Sequence, residues 1–143
     1  MNIRKYREND RASLIALWKE VFPDDPPHNE PDSVLDAKIM IDDLIFVAED
    51  DNELVAGCMA GYDGHRGWLY AVAVSPARRR EGIGKAIVDN VLHALSEIGC
   101  IKVNLQIRST NAQVAAFYRS IGFRVEERLS MGKFIGKDTS GLK

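Results

Sequence analysis

The chain has 143 residues, of which 45% are hydrophobic and 28% charged, with a formal net charge of −2 and a pI of about 5.9. That length suits one domain with a real core, and the apolar content excludes a disordered chain. The slight acidity argues against bulk attraction to nucleic acid or to an acidic membrane, so any basic site has to be local.

Asn2 to Tyr6 reads as a first strand. Asn9 or Asp10 is placed to cap a helix that runs to about Val21, with Leu14, Leu17, Trp18 and Val21 at helical spacing. The stretch from Pro23 to Pro31 holds four prolines, which exclude a helix interior and a central strand, so it is expected as a surface loop. A second helix, capped by Asp32 or Ser33, carries Val34, Leu35 and Ile39. Leu44 to Glu49 and Leu54 to Tyr62 are β-prone runs joined by the turn residues Asp50, Asp51 and Asn52. The turn Asp63 to Gly67 leads to a further strand, Trp68 to Val74, which completes an antiparallel meander.

Ile83, Ile87, Val91, Leu95 and Ile98 repeat at near-helical spacing and Gly99 stands at the C-terminal cap position. Lys102 to Ile107 alternates like a strand, and the helix before it implies a parallel crossover. Ser109, Thr110 or Asn111 caps a last helix that ends at Gly122, and Phe123–Arg128 and Leu129–Ile135 are expected as two final strands. Residues 137–143 are small and polar and read as a loose tail of a single domain spanning 1–143. Cys58 and Cys100 fit no C-x-x-C or metal spacing and read as reduced thiols of a cytoplasmic protein. Residues 1–6 carry charge where a signal peptide needs an apolar core, and no apolar run is long enough to cross a membrane.

The stretch Ser75 to Lys85 stands between an apolar strand and the most regular helix. It contains Pro76, the consecutive arginines Arg78, Arg79 and Arg80, then Gly82, Gly84 and Lys85. A strand, a turn with cations and a helix start offer unpaired N–H groups and the positive end of a helix dipole, which suit a phosphate. A nucleotide P-loop fails here, because Arg79 occupies its first glycine and Ala86 its Ser/Thr. A dinucleotide fingerprint fails as well, with Ile87 at its third glycine.

Arg79-Arg80-Glu81-Gly82-Ile83-Gly84 meets a third pattern, Arg/Gln-x-x-Gly-x-Gly/Ala, preceded by Val74-Ser75-Pro76 and followed far downstream by Asn111 to Phe123, with Tyr118 and Gly122-Phe123 in place. On these residues the chain resembles the GCN5-related N-acetyltransferase (GNAT) superfamily, with Val114 standing where alanine is common. Gly61 to Gly67 further resembles a subgroup of small bacterial acetyltransferases of the YpeA type.

The resemblance implies an α/β fold of the α+β kind, the acyl-CoA N-acyltransferase fold, with a central mixed sheet of about six to seven strands and about four helices. It implies acetyl-coenzyme A as co-substrate and no metal. The backbone of Val72, Ala73 and Val74 would pair with the pantetheine arm, and the amides of Arg79, Arg80, Glu81, Gly82, Ile83, Gly84 and Lys85 would cradle the pyrophosphate. Arginine side chains at 78 to 80 and Lys85 would add charge. Asn111 would cap its helix and bond the pantetheine, and Tyr118 would protonate the leaving thiolate as general acid.

The glutamate that serves some relatives as base is Gln106 here, which leaves Asp63, His65 or a water chain for that task. The expected activity is transfer of acetyl from acetyl-CoA to a primary amine, on a small molecule or a peptide, by direct attack in a ternary complex. The rival is an acetyl-CoA-binding sensor of weak catalysis. A monomer or homodimer with no nucleic-acid or membrane partner is expected.

Overall fold

A computed structural model of the chain describes residues 1–24, 26 and 30–136. The elements in chain order are β1 (Asn2–Lys5), α1 (Arg11–Val21), α2 (Pro31–Ile41), β2 (Ile45–Asp50), β3 (Glu53–Tyr62), β4 (Gly67–Val74), α3 (Ile83–Glu97), β5 (Val103–Asn104) and α4 (Ala112–Ser120). The expected loop at Asp25 and Pro27 to Asn29, and the tail 137–143, lie outside the described residues. The chain forms two compact units, Met1–Gln106 and a second beginning at Ile107.

The first unit is built on a five-stranded sheet in the order β1-β2-β3-β4-β5. The first three pairings are antiparallel and β4–β5 is parallel, as a helical crossover requires. The β2–β3 turn sets Asp51 and Asn52 at φ 50° and 63°, the two left-handed residues of a tight hairpin, which short polar side chains tolerate. Side chains alternate across the strands, so one face of the sheet carries Ile45, Val47, Met59 and Ala73 against Leu14, Leu17 and Trp18 of α1 and Leu35 of α2. The wholly buried Ile87, Val88, Val91 and Leu95 of α3 pack its helix against β2, β3 and β4. Each such side chain contributes about 1.5–3 kcal/mol by leaving water. A Cβ on Gly67, where β4 begins, would lie 2.6 Å from Cys100 Sγ, so the strand can sit this close to the end of α3 only with glycine there.

Two helix starts differ from expectation. Asp10 does not cap α1; its carboxylate turns back to Arg4, at 2.8 and 2.9 Å, and accepts the Arg7 N–H. The guanidinium brings a full opposite charge and two parallel bonds, where a cap would bring one bond to a neutral N–H, and it takes the carboxylate. α2 begins at Pro31 and is capped by Glu30, which accepts the Ser33 N–H at 3.0 Å. Proline suits this first helical position because its missing N–H has no helical partner there in any case.

The sheet is also shorter than expected. The strand predicted over Lys102–Ile107 shrinks to Val103–Asn104, and among the described residues neither Phe123–Arg128 nor Leu129–Ile135 forms a strand. The apolar residues that a core should claim there, Val125, Leu129, Met131 and Ile135, are exposed. Arg124, Glu126, Glu127 and Arg128 place four charges in five positions, so no consistent buried face fixes a register.

Candidate active site

β4 departs from a regular strand at the point where the site begins. Gly57 faces Ala73 and Met59 faces Tyr70, so Ala71 and Val72 together oppose the single residue Cys58. This bulge puts Ala71 at φ 52°, and its carbonyl accepts the Trp18 indole N–H at 2.9 Å. β5 pairs with β4 only through Gly67 and Trp68. Beyond them the edge of β4 turned away from β3 carries no strand among the described residues, so Val72, Ala73 and Val74 lie on backbone that can receive an extended ligand.

A 3-10 turn, Pro76–Arg78, links β4 to the loop. Arg80 and Gly82 take positive φ, 67° and 80°. For Gly82 that conformation carries little strain, and a Cβ there would meet nothing within 4 Å, so the space over the loop is open. The first helical bond of α3 runs from the Ala86 N–H to the Gly82 carbonyl, and no side chain caps the helix. The N–H groups of Ile83, Gly84 and Lys85 therefore have no acceptor among the described residues, at the positive end of the dipole.

The four cations of this segment are not equivalent. Arg78 reaches Asp50 at 2.5 Å and Glu81 at 3.0 Å, and Lys85 reaches Asp89 at 2.6 Å. The Arg78 guanidinium holds the Asp50 carboxyl below its ordinary range. Arg79 and Arg80 are exposed and make no ion pair among the described residues. Pairing leaves these two as the guanidinium forks open to an anion. Glu81 contributes its backbone to the loop while its carboxylate is engaged by Arg78.

Beside β4, on the α2 side, lies a cleft of about 610 Å³ lined in part by Lys38, Asp42, Asp63, Trp68, Tyr70 and Gln106. Gln106 thus stands in a site, but it cannot take a proton. Asp63 accepts the N–H groups of His65 and Arg66, both at 2.7 Å, and those bonds, that from Arg66 first, hold its carboxyl below the usual range. That makes it a turn-forming anion and a weak base. His65 is exposed on the same turn. Burial pushes the Cys58 thiol up to about 12, so it holds its proton at neutral pH.

In the second unit, Asn111 caps α4 by accepting the Val114 N–H at 3.2 Å. Tyr118 is buried and meets Phe117 and Phe123 edge-on, with ring centroids at 5.0 and 5.4 Å. Gly122 ends the helix at φ 103°. Two participants left no signal of their role in the sequence pattern: Asp50 reads as a turn residue, and an alanine at 71 gives no sign of a left-handed backbone. Lys38 is not singled out from the sequence. Asp42 had the clearest available signal, four residues after Lys38 at a helix end.

A bulged strand with a free edge runs into an open helix start beside arginines that make no ion pair among the described residues, an arrangement that offers backbone bonds to an extended chain and positive charge to an anion. A profile of the acetyltransferase (GNAT) family matches residues 11–123. An acetyltransferase of Pectobacterium atrosepticum is 34% identical over 141 residues, covering 96% of this chain and 98% of that protein. One of Sodalis glossinidius is 35% identical over 142 residues, with the same coverage of 96% and 98%. Among solved structures, an aminoglycoside N-acetyltransferase in complex with CoA superposes with a TM-score of 0.76 at 19% identity, covering 93% of each chain. The chain belongs to the GNAT acetyltransferase family and is an acetyltransferase.

Proposed function

We propose that this acetyltransferase moves an acetyl group from acetyl-coenzyme A to a primary amine by direct attack within a ternary complex. The observation that carries the reading is the continuity of the free β4 edge with the open α3 start and the unpaired Arg79 and Arg80. When bound, acetyl-coenzyme A supplies an activated acetyl thioester. The backbone of Val72, Ala73 and Val74 holds the pantetheine arm as a neighbouring strand would, and its N–H groups polarise the acetyl carbonyl. The amides from Arg79 to Lys85 take the pyrophosphate; Gly82 and Gly84 keep side chains out of its way. Arg79 and Arg80 neutralise phosphate charge. Asn111 caps α4 and bonds the pantetheine amides. The acceptor enters through the cleft beside β4 and attacks as a neutral amine, and the surplus proton left on its nitrogen after the C–N bond forms passes to water in the open cleft. Tyr118 gives its phenolic proton to the departing sulfur, a task for which a phenol is suited because it stays protonated at neutral pH.

The single-domain reading, a cytoplasmic location and a small-molecule or peptide amine as acceptor belong to this proposal. An aminoglycoside enzyme among the structural neighbours supports a small-molecule acceptor. The experiment is thioester cleavage measured across polyamines, aminoglycosides, amino acids and peptide N-termini. Turnover with at least one class is expected; tight coenzyme binding with no turnover on any amine would favour the sensor instead. Tyr118→Phe is expected to lower kcat by about 100-fold and leave the coenzyme Kd unchanged. An unchanged kcat removes Tyr118 from the mechanism.

A further inference from the structure

The cleft beside β4 has a distinctive charge balance. Lys38 is its one cation among the described lining residues, and it is buried, with Nζ at 2.5 Å from the Ala60 carbonyl and 2.6 Å from Asp42. The same ammonium sits 5.7 Å over the Tyr70 ring. Two of its donors are turned to the Ala60 carbonyl and Asp42, so its charge is already matched by a carboxylate of the same lining. Asp42 and Asp63 bring two carboxylates against that single ammonium, so the lining carries an excess of negative charge.

The wall is aromatic. Trp68 and Tyr70 stand two residues apart on the same face of β4, and both are exposed, 38% and 40%. Gly61 pairs with Trp68, so no side chain from β3 covers the indole. Ile41 adds exposed apolar surface at the end of α2. Large apolar side chains in a concave site, left open to water, are surface a ligand can cover.

Resting on the acetyl-transfer reading above, we propose that this cleft selects a primary amine borne on an apolar body without anionic groups, and rejects amines that carry phosphate. The ammonium form is drawn in by Asp63 and the face of Trp68, since Asp42 and the Tyr70 ring already hold Lys38, and the apolar body covers the two rings. A phosphate would meet two carboxylates and a cation already engaged.

The test is equilibrium binding read by Trp68 fluorescence, with phenethylamine and glucosamine 6-phosphate as probes, followed by acetyl transfer to the same two amines. Phenethylamine is expected to give a saturable change and to bind at least about tenfold more tightly than the sugar phosphate. Trp68→Phe should remove that signal, and Tyr70→Ala, at a half-exposed position, should weaken binding roughly threefold to tenfold. Equal or tighter binding of the sugar phosphate overturns the proposal, as does the absence of saturation by either probe. Selective binding of phenethylamine without transfer to any amine upholds the cleft's selectivity and overturns the acetyl-transfer reading instead.

Discussion

The loop from Arg78 to Lys85 and the cleft beside β4 both hold cations, yet only the loop offers one to a ligand. In the cleft, Lys38 is buried and bound to Asp42 and the Ala60 carbonyl. In the loop, Arg78 and Lys85 are similarly engaged by carboxylates, while Arg79 and Arg80 are not. The difference teaches that the number of basic residues in a segment says little about an anion site. What matters is how many remain after intramolecular pairing, because a paired guanidinium must lose one partner to gain another.

Substitutions that break the pairing, or the lack of it, sharpen the contrast. Lys38→Met should have the largest effect, on stability. It removes a buried charge from Asp42 and leaves the Ala60 carbonyl without its donor, which costs about 3 kcal/mol and lowers the urea midpoint. An unchanged midpoint would show that Lys38 is free, against the contrast drawn here. The double variant Arg79→Ala, Arg80→Ala should raise the coenzyme A Kd about 100-fold at low ionic strength, with less loss at high salt, while the midpoint stays put.

A pH ramp tests the paired carboxylates. The Arg4 guanidinium, ahead of the Arg7 N–H, holds the Asp10 carboxyl below its ordinary 3.8. A depressed value in the folded state means that stabilisation is complete above the ordinary value and is lost as pH falls through it toward the folded value. Asp10→Asn should therefore cost about 1 kcal/mol at neutral pH, and the gap to wild type should close in strong acid. A gap that persists unchanged at low pH would mean that the Arg4 pair contributes nothing through ionisation. Arg78→Ala should have the smallest effect on ligand binding, less than about threefold on the coenzyme Kd, because its charge is already spent on Asp50 and Glu81.

Where local chemistry dictates the backbone, the residues announce the structure. Asp51 and Asn52 make the hairpin, Gly82, Gly99 and Gly122 take left-handed φ at helix ends, and the apolar period of α3 runs from Ile83 to Leu95 as expected, while Ile98 lies past the helix and is exposed. The parallel entry of β5 follows from the helix that precedes it. The β4 bulge is different. It arises from the mismatch of two strands across Cys58 and is held by Trp18, far away in the chain, so alanine at 71 carries no trace of it. Lys38 and Asp50 are likewise placed by tertiary partners. The segment from Phe123 to Ile135 shows the reverse error: β-prone residue types without a consistent face do not make a strand.

Amide hydrogen exchange with and without coenzyme A tests the central claim most directly, because the site is made largely of backbone. Protection is expected at Val72 to Val74 and at Gly82 to Lys85, on amides that have no partner or a free edge in the unliganded fold. Coenzyme binding that leaves both segments unprotected, or protects other parts of the chain alone, would contradict the account.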